Sequence, residues 1–455
     1  MSRLRPQAVY LASRRLAGEH AGAMYAFLAR AWASGAGIIL VVLVTTRLTA
    51  VEQGYFFTFQ TVMMLQVLLE LGFAVVFSQF VSHEWAHLRI EDGRVEGDPA
   101  ARARLAGMVR LARLWYLGAS VGFLLLVAPA GVLFYQLGDD GTVTWLWPWL
   151  WLCLAQVISF QYTPLQSLLE GTGDVARSQR ALLLANIVAG IVAWLALLVG
   201  LGLWAAPIQL GVRSGIAFAL LLPATRTLRA PAPPGISIDE STWRPEFFRQ
   251  QMRTAASWSA GLLMFQSLTP MTFALHGAVV AGQIGLLVAA VTALNQLGSA
   301  WLTAAQPRMG YLGAVRRFDE LGALIGVTLW RCIGTAGILA AGALVGVVIV
   351  RVLDPAYAQR FGSVIMVLSF LAAGVVVQVS NVWTAAVRFQ KEEPFVLIAW
   401  VAGLAVMVTN VLLGYAAGGN GIAVGFLLVI SFILVPGVTL IGRSRLRALA
   451  RSDGA

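Results

Sequence analysis

The stretch LGALIGVTLWRCIGTAGILAAGALVGVVIV, residues 321–350, contains one arginine and no other charged residue. A helix needs about 20 apolar residues to cross the hydrocarbon core of a bilayer. The alternation of apolar and polar residues that marks a half-buried β-strand is absent. The stretch therefore predicts a transmembrane helix.

The composition extends this prediction to the whole chain. Of the 455 residues, 59% are hydrophobic and 12% are charged, and the mean hydropathy is +0.79, which excludes a water-soluble globule. Because only helices and closed barrels satisfy their backbone groups in lipid, we expect an all-α polytopic membrane protein. Residues 24–46 are expected to be a retained first span rather than a signal peptide. Twelve spans are predicted, at residues 24–46, 54–80, 107–135, 143–169, 181–201, 207–224, 255–275, 281–304, 321–350, 363–386, 395–415 and 421–441.

Arginine is distributed unevenly between the predicted loops. Short loops rich in Lys and Arg stay on the cytoplasmic side of a membrane. With a cytoplasmic N-terminus, the opposite side holds only Arg47, Arg351 and Arg360, and its loop QLGDDGTVT, residues 136–144, is acidic. Both termini of this multi-pass inner-membrane protein are therefore predicted to be cytoplasmic. The formal net charge of +11 arises mostly from the arginines of the predicted cytoplasmic loops, so no nucleic-acid partner is inferred.

A Pro-rich, charged segment divides the chain: RTLRAPAPPGISIDESTWRPEFFRQQMR, residues 226–253. It predicts a cytoplasmic linker between an N-terminal six-helix lobe, residues 1–225, and a C-terminal six-helix lobe, residues 254–442. The first lobe begins with a basic cytoplasmic segment, and a basic cytoplasmic tail, residues 443–455, follows the second. Such a six-plus-six arrangement is common in transporters whose halves rock about a central site. TAVEQGYFF (49–57) and AVVAGQIGL (278–286) share a pattern of small residues, Gln and Gly.

The motif His83-Glu84-Trp85-Ala86-His87 matches H-E-x-x-H, in which two histidines bind zinc and the glutamate activates a water. A helix would place both histidines on one face. No third ligand is evident, because His276 is predicted at the opposite membrane surface and His20 lies in no recognisable ligand motif. We predict that a helix leaves the membrane here and expect no metal, cofactor or catalytic residue. A zinc peptidase is the alternative.

The stretch TTRLTAVEQGYFFTFQTVMMLQVLLELG, residues 45–72, combines Arg47-Leu48, Glu52, Gly54-Tyr55 and Glu70-Leu71-Gly72. This order resembles the first hairpin of the polysaccharide (lipid-linked oligosaccharide) flippases of the multidrug/oligosaccharidyl-lipid/polysaccharide exporter superfamily. Later segments fit the same family: AAQPRMGYL (304–312), DPAYAQ (354–359) and GYAAGGNGIAVG (414–425). The resemblance implies about twelve transmembrane helices in two six-helix lobes around a central cationic cavity. It also implies a polyprenyl-diphosphate-linked saccharide as the substrate.

Four ionisable residues stand out within the predicted spans: Arg30, Glu70, Arg213 and Arg331. A charge in a span costs about 2.5 to 3.5 kcal/mol on insertion scales and usually faces a wet or paired interior. Guanidinium suits a diphosphate because it is permanently charged and donates two parallel hydrogen bonds, so the three arginines are candidate substrate-binding residues. Each could instead pair with Glu70 or reach an interface. Glu70 is either a structural counter-ion or a proton-coupled carboxylate.

We therefore predict a protein that is not an enzyme but a flippase. It would move a lipid-linked oligosaccharide across the inner membrane by alternating access, for cell-surface polysaccharide such as the O-antigen of lipopolysaccharide. Its expected partners are this substrate and membrane lipids, and it is expected to be a monomer. An exporter of small cationic drugs from the same superfamily is an alternative, although a cationic substrate would require carboxylates within the membrane and the predicted spans hold more arginines than carboxylates. A glycan polymerase or ligase is another, although the outer loops are short for such chemistry.

Overall fold

The computed structural model describes residues 24–25, 28–29, 31–32, 35–139, 141–229, 240–388 and 394–452, and these are mostly helical. The helices before the predicted linker are α1 (Gly35–Arg47), α2 (Ala50–Met63), α3 (Gln66–Glu70), α4 (Phe73–Trp85), α5 (Pro99–Gly122), α6 (Ala128–Leu137), α7 (Leu146–Gly171), α8 (Val175–Leu198) and α9 (Ala205–Ala224). The later ones are α10 (Glu240–Gln266), α11 (Leu268–Gly298), α12 (Ala300–Ala314), α13 (Phe318–Leu353), α14 (Pro355–Ala358), α15 (Val364–Arg388), α16 (Val396–Val429) and α17 (Val435–Ser452). Short 3-10 or π-helical segments cover Phe123–Val127, Gly202–Trp204, Thr227–Arg229, Gln359–Phe361 and Ile430–Leu434.

The contacts within the chain define two units. The first is formed from the stretches Met1–Arg47, Leu65–Gln136 and Thr144–Ala255, and the second from Leu48–Met64, Leu137–Val143 and Ala256–Ala455. Helix α2 thus belongs by its contacts to the second unit, although it precedes most of the first unit in the chain. Helix α10 begins at Glu240, inside the segment that the sequence predicts to be a linker. The predicted lobe boundaries stay a prediction.

The second predicted span, residues 54–80, is broken rather than continuous. The axis bends by 44° between Ala50–Glu70 and Phe73–Trp85. Leu71 (φ 49°) and Gly72 (φ 69°) are both left-handed at the break, a conformation that residues with a Cβ rarely adopt. A Cβ on Gly72 would also lie 2.5 Å from the Cγ2 atom of Thr254 in α10. Glycine is therefore favoured at this position by both the backbone conformation and the packing.

Aromatic packing in the first unit begins directly after this break. The ring of Phe73 in α4 stacks on Trp115 of α5, with centroids 5.4 Å apart, and contacts Phe247 of α10 at 5.0 Å. Large aromatic side chains of this kind contribute both buried area and a preferred ring geometry. The aromatic cluster thus joins α4, α5 and α10 within the first unit.

A β-hairpin follows α4, where the sequence analysis expects a loop. Strands β1 (Leu88–Glu91) and β2 (Arg94–Gly97) pair antiparallel, with Ile90 opposite Val95. The two turn residues, Asp92 (φ 48°) and Gly93 (φ 73°), both have positive φ, which is the type I′ turn that Asp-Gly favours. Leu88 and Val95 are buried. The pair Asp92-Gly93 is thus a feature of the sequence from which this hairpin could be predicted.

In the second unit, α2 crosses α11 at backbone contact distance. A Cβ on Gly54 would lie 1.9 Å from the carbonyl oxygen of Ala278, and one on Gly282 would lie 2.9 Å from the Gly54 nitrogen. The Gln53 side-chain amide donates to the Gly282 carbonyl at 3.1 Å. Small residues permit this close approach of two helices. The contact is formed by residues 49–57 and 278–286, the two segments that share a pattern of small residues, Gln and Gly.

Helix length and hydropathy identify seven membrane-crossing candidates among the described residues, or eight if the bent pair from Ala50 to Trp85 counts as one span. Two of them, Trp243–Gly298 with 56 residues and Val396–Ala448 with 53, are long enough for two crossings of about 20 residues each. Both contain a break, at Gly277 and at Ala417–Gly418 respectively. These breaks fall in the predicted loops between spans. The predicted fold class is confirmed, and the protein is an all-α polytopic membrane protein.

Candidate substrate-binding site

The predicted arginines fall in separate parts of the chain. Arg30 lies outside the described residues. Arg213 lies in α9 of the first unit, and Arg331 lies in α13 of the second. Among the residues that the structure describes, neither Arg213 nor Arg331 forms an ion pair with a carboxylate.

Arg213 is half-buried in α9, which packs against α7 and α8. Its Nε atom is buried and has no hydrogen-bond partner in the described part of the chain, and the neighbouring Ser214 hydroxyl is also buried without one. Leaving a buried polar group unpaired costs about 1 to 3 kcal/mol, and more when the group is charged. A ligand that accepts hydrogen bonds at this position would remove that cost.

Arg331 is held by an aromatic ring. Its guanidinium carbon lies over the ring of Trp301 in α12, 5.3 Å from the centroid. The indole N–H of Trp301 donates to the Thr335 hydroxyl at 2.9 Å, which fixes the ring. A cation over an indole face is stabilised by the ring quadrupole while its N–H donors stay free for other partners. Arg331 is thus oriented without being neutralised.

Glu70 ends α3, immediately before the break at Leu71 and Gly72. No ion pair joins it to an arginine within the described residues. One turn earlier, the side chain of Gln66 accepts a hydrogen bond from Gln156 of α7. The structure therefore gives no support to a role for Glu70 as counter-ion of Arg213 or Arg331. Its alternative role, as a coupling carboxylate, stays a prediction.

The H-E-x-x-H motif straddles the end of a helix. Helix α4 ends at Trp85, so His87 lies beyond the regular turns that would align it with His83. Glu84 forms an ion pair with Arg104 of α5, with 2.9 Å between Oε2 and Nε. Among the described residues, no group of three or more His, Cys, Asp or Glu side chains could hold a metal ion. Glu84 of the motif therefore forms an ion pair between α4 and α5.

We expect purified protein to contain substoichiometric zinc, measured by inductively coupled plasma mass spectrometry. Glu84→Gln should leave transport near the wild-type level, because it removes only a partly exposed ion pair worth about 1 kcal/mol or less. Glu91→Gln, which removes the exposed ion pair of Glu91 with Arg89 in the hairpin, is the matched control. One tightly bound zinc per chain, together with loss of activity in Glu84→Gln alone, would contradict this prediction.

A cavity in the second unit, lined by eleven residues without a polar side chain and six with one, contains residues whose grouping was not predicted from the sequence. Its volume is about 640 Å³, and no charged side chain is found among its described lining residues. Asn295 accepts hydrogen bonds from Gln378 at 2.9 Å and from Asn381 at 3.3 Å. Ser299 donates to Gln378 at 3.3 Å. The hydroxyl and amide groups that line the cavity are those of Ser299, Thr303, Gln306, Ser380, Asn381 and Thr384.

Comparison with known proteins identifies the fold. No family profile and no curated protein matches the sequence. Among solved structures, an inward-facing multidrug resistance transporter of the MATE family of the MOP superfamily has a TM-score of 0.64 at 14% identity, over 92% of this chain and 96% of that one. The lipid II flippase MurJ, in an inward closed conformation, has a TM-score of 0.63 at 11% identity, over 94% and 89%. A MOP superfamily transporter from Pyrococcus furiosus has a TM-score of 0.52 at 13% identity, over 95% and 96%.

These structures confirm the predicted resemblance at the level of fold. The structural neighbours of the chain are transporters and flippases of the MOP superfamily, the superfamily whose hairpin the stretch at residues 45–72 resembles. The neighbours include both drug transporters and a lipid flippase. The choice between these substrate classes rests on the residues of this chain.

Proposed function

We propose that the protein translocates a polyprenyl-diphosphate-linked oligosaccharide across the inner membrane by alternating access. The observation that carries the proposal is the pair of intramembrane arginines, Arg213 and Arg331, for which no carboxylate partner is found within the described residues. A permanent cation in a span is costly unless a partner compensates for it. A diphosphate is a permanent anion that can accept paired hydrogen bonds from a guanidinium.

The six hydroxyl and amide side chains in the 640 Å³ cavity of the second unit support a saccharide as the rest of the ligand. Sugar hydroxyls are neutral donors and acceptors, and amide side chains such as Asn381 match both roles. Cavities of about 300 to 1,000 Å³ are typical of small-molecule sites. The product would serve cell-surface polysaccharide synthesis, and the working unit would be a monomer with both termini in the cytoplasm.

Export of a small cationic drug is the second candidate, and the multidrug resistance transporter among the structural neighbours favours it. A cationic ligand needs a carboxylate in the membrane. Glu70 is the single Asp or Glu within the twelve predicted spans. Arg213 and Arg331 would repel such a ligand, so the balance of intramembrane charge favours an anionic substrate.

Reconstitution into liposomes tests the proposal. A fluorescent polyprenyl-diphosphate-oligosaccharide in the outer leaflet should become protected from a membrane-impermeant quencher with wild-type protein, and not with protein-free liposomes. A parallel arm measures uptake of a fluorescent organic cation. We expect transport in the first arm only. Cation uptake without lipid movement would support the drug exporter instead.

A further inference from the structure

A second cavity, of about 490 Å³, lies within the second unit, where α11, α13, α14, α15 and α16 approach one another. It is distinct from the 640 Å³ cavity that contains Ser299 and Asn381 and shares no lining residue with it. Arg351, at the C-terminal end of α13, supplies its charge, and Gln283, Ser363 and Asn420 supply neutral polar groups. By the arginine asymmetry of the sequence, this end of the unit faces away from the cytoplasm.

The charge of Arg351 is not neutralised by the residues around it. One terminal nitrogen of the guanidinium donates to the Gly362 carbonyl, and the Nε atom is buried without a partner in the described part of the chain. The nearest carboxylate in sequence, Asp354, accepts a hydrogen bond of 2.9 Å from the Tyr357 backbone nitrogen and so caps α14. Arg360 donates to the Leu48 carbonyl at 2.6 Å. Arg351 is therefore a fixed cation in a cavity.

The neutral groups of the cavity offer both donors and an acceptor. Asn420 accepts a hydrogen bond from the Ser363 hydroxyl through Oδ1, so its two amide N–H donors are available to a ligand. The side chain of Gln283 donates to the Gln359 carbonyl at 2.8 Å, which leaves its Oε1 atom as an acceptor. Guanidinium and amide donors suit an anionic oxygen group, and a carboxamide oxygen suits a hydroxyl.

The surface beside Arg351 is apolar and exposed. Val348, Ile349, Val352 and Leu353 of α13 are between 48% and 78% exposed, which in a membrane-spanning helix is the pattern of a lipid-facing surface. A cation at the end of such a surface lies at the level of the lipid headgroups. A phosphate can therefore approach it from a lipid or from the aqueous phase.

We propose that this cavity binds a phosphate ester whose organic part carries hydroxyl groups, with Arg351 and Asn420 on the phosphate and Gln283 on a hydroxyl. The cavity is too large for inorganic phosphate alone and lies in the range of small-molecule sites. A glycerol phosphate group has this chemistry, either as the headgroup of a phospholipid or as a free ester. The site does not depend on the proposed transport function.

Two binding measurements on the full-length protein separate these sources. In the first, protein in phosphatidylcholine nanodiscs is titrated with glycerol 3-phosphate by isothermal titration calorimetry. In the second, native mass spectrometry compares retention of phosphatidylglycerol with that of phosphatidylcholine. Binding in the first arm identifies a soluble ester, and selective retention in the second identifies a lipid. Absence of binding in both arms overturns the proposal.

Substitutions at two positions of the cavity connect the binding to the site. Arg351→Gln should weaken it about ten- to a hundredfold, because it removes a charge-assisted contact, and Arg351→Lys should recover part of the loss. Asn420→Asp keeps the acceptor for Ser363 but places a carboxylate beside the phosphate, so it should also weaken binding. Arg317→Gln, at the opposite end of α13 and ion-paired with Glu320, makes the same change in charge as Arg351→Gln and should bind like the wild type. Equal affinity in Arg351→Gln and Arg317→Gln would overturn the proposal.

Discussion

Gly54→Ala is expected to destabilise the protein strongly, with loss of most folded material from the membrane. The added methyl group would lie 1.9 Å from the carbonyl oxygen and 2.5 Å from the carbonyl carbon of Ala278. Both atoms belong to the backbone of α11, so no rotamer change relieves the contact, and the two helices must separate. Overpacking in a well-packed core typically costs about 1 to 3 kcal/mol and occasionally more. Thermal unfolding of the purified protein in one detergent measures the loss.

Gly334→Ala is the matched control for this prediction. Gly334 lies inside α13, and a Cβ at this position has no heavy atom within 4 Å. Alanine is favoured over glycine in a helix by about 1 kcal/mol, so this variant should be as stable as the wild type or slightly more so. If Gly54→Ala behaved like Gly334→Ala, the contact of α2 with α11 would not exist in the folded protein.

Arg213→Ala and Arg331→Ala should each reduce apparent substrate affinity about ten- to a hundredfold in the liposome assay, while the protein still inserts and folds. Each variant removes a charge-assisted hydrogen bond worth about 1.5 to 3 kcal/mol. Lysine at either position retains the charge but not the two parallel donors, so it should recover only part of the activity. Arg180→Ala, which removes an exposed arginine of α8, is the control for the loss of one positive charge.

A counter-ion role for the arginines predicts a different result. If Arg213 served only to neutralise Glu70, the double variant Arg213→Ala, Glu70→Gln would recover the activity that Arg213→Ala loses. The described residues contain no ion pair between these two side chains, so we expect the double variant to stay impaired. Full activity of both single arginine variants would remove these residues from the mechanism.

The membrane class and the helical fold could be predicted from the sequence because they depend on composition and on the length of apolar runs. A run such as residues 321–350 has no stable alternative to a spanning helix in lipid. The loops at Gly277 and at Ala417–Gly418 were predictable for the same reason, since they interrupt apolar runs that are too long for one crossing. The hairpin at residues 88–97 had a local signal in Asp92-Gly93, which hydropathy analysis does not detect.

The sites depend on residues that are far apart in the chain. The sequence identified Arg331 as an ionisable residue within a predicted span, but only the packing of α12 against α13 places Trp301 beneath it. Likewise, the sequence places Arg351 among the few arginines predicted on the outer side of the membrane. Its cavity could not be predicted, because it forms only where five helices meet.

The sequence by itself determined that this chain spans a membrane as a helical bundle with cations in its spans, because burial of apolar residues and the cost of intramembrane charge are local properties. The tertiary structure alone decided where the second span breaks and which backbones touch. It also decided which arginines keep hydrogen-bond donors that are free for a ligand. The break, the backbone contacts and the free donors all depend on contacts between residues far apart in the chain, which no local sequence pattern encodes. Examples are Gly54 with Ala278, Gly72 with Thr254 and Arg331 with Trp301.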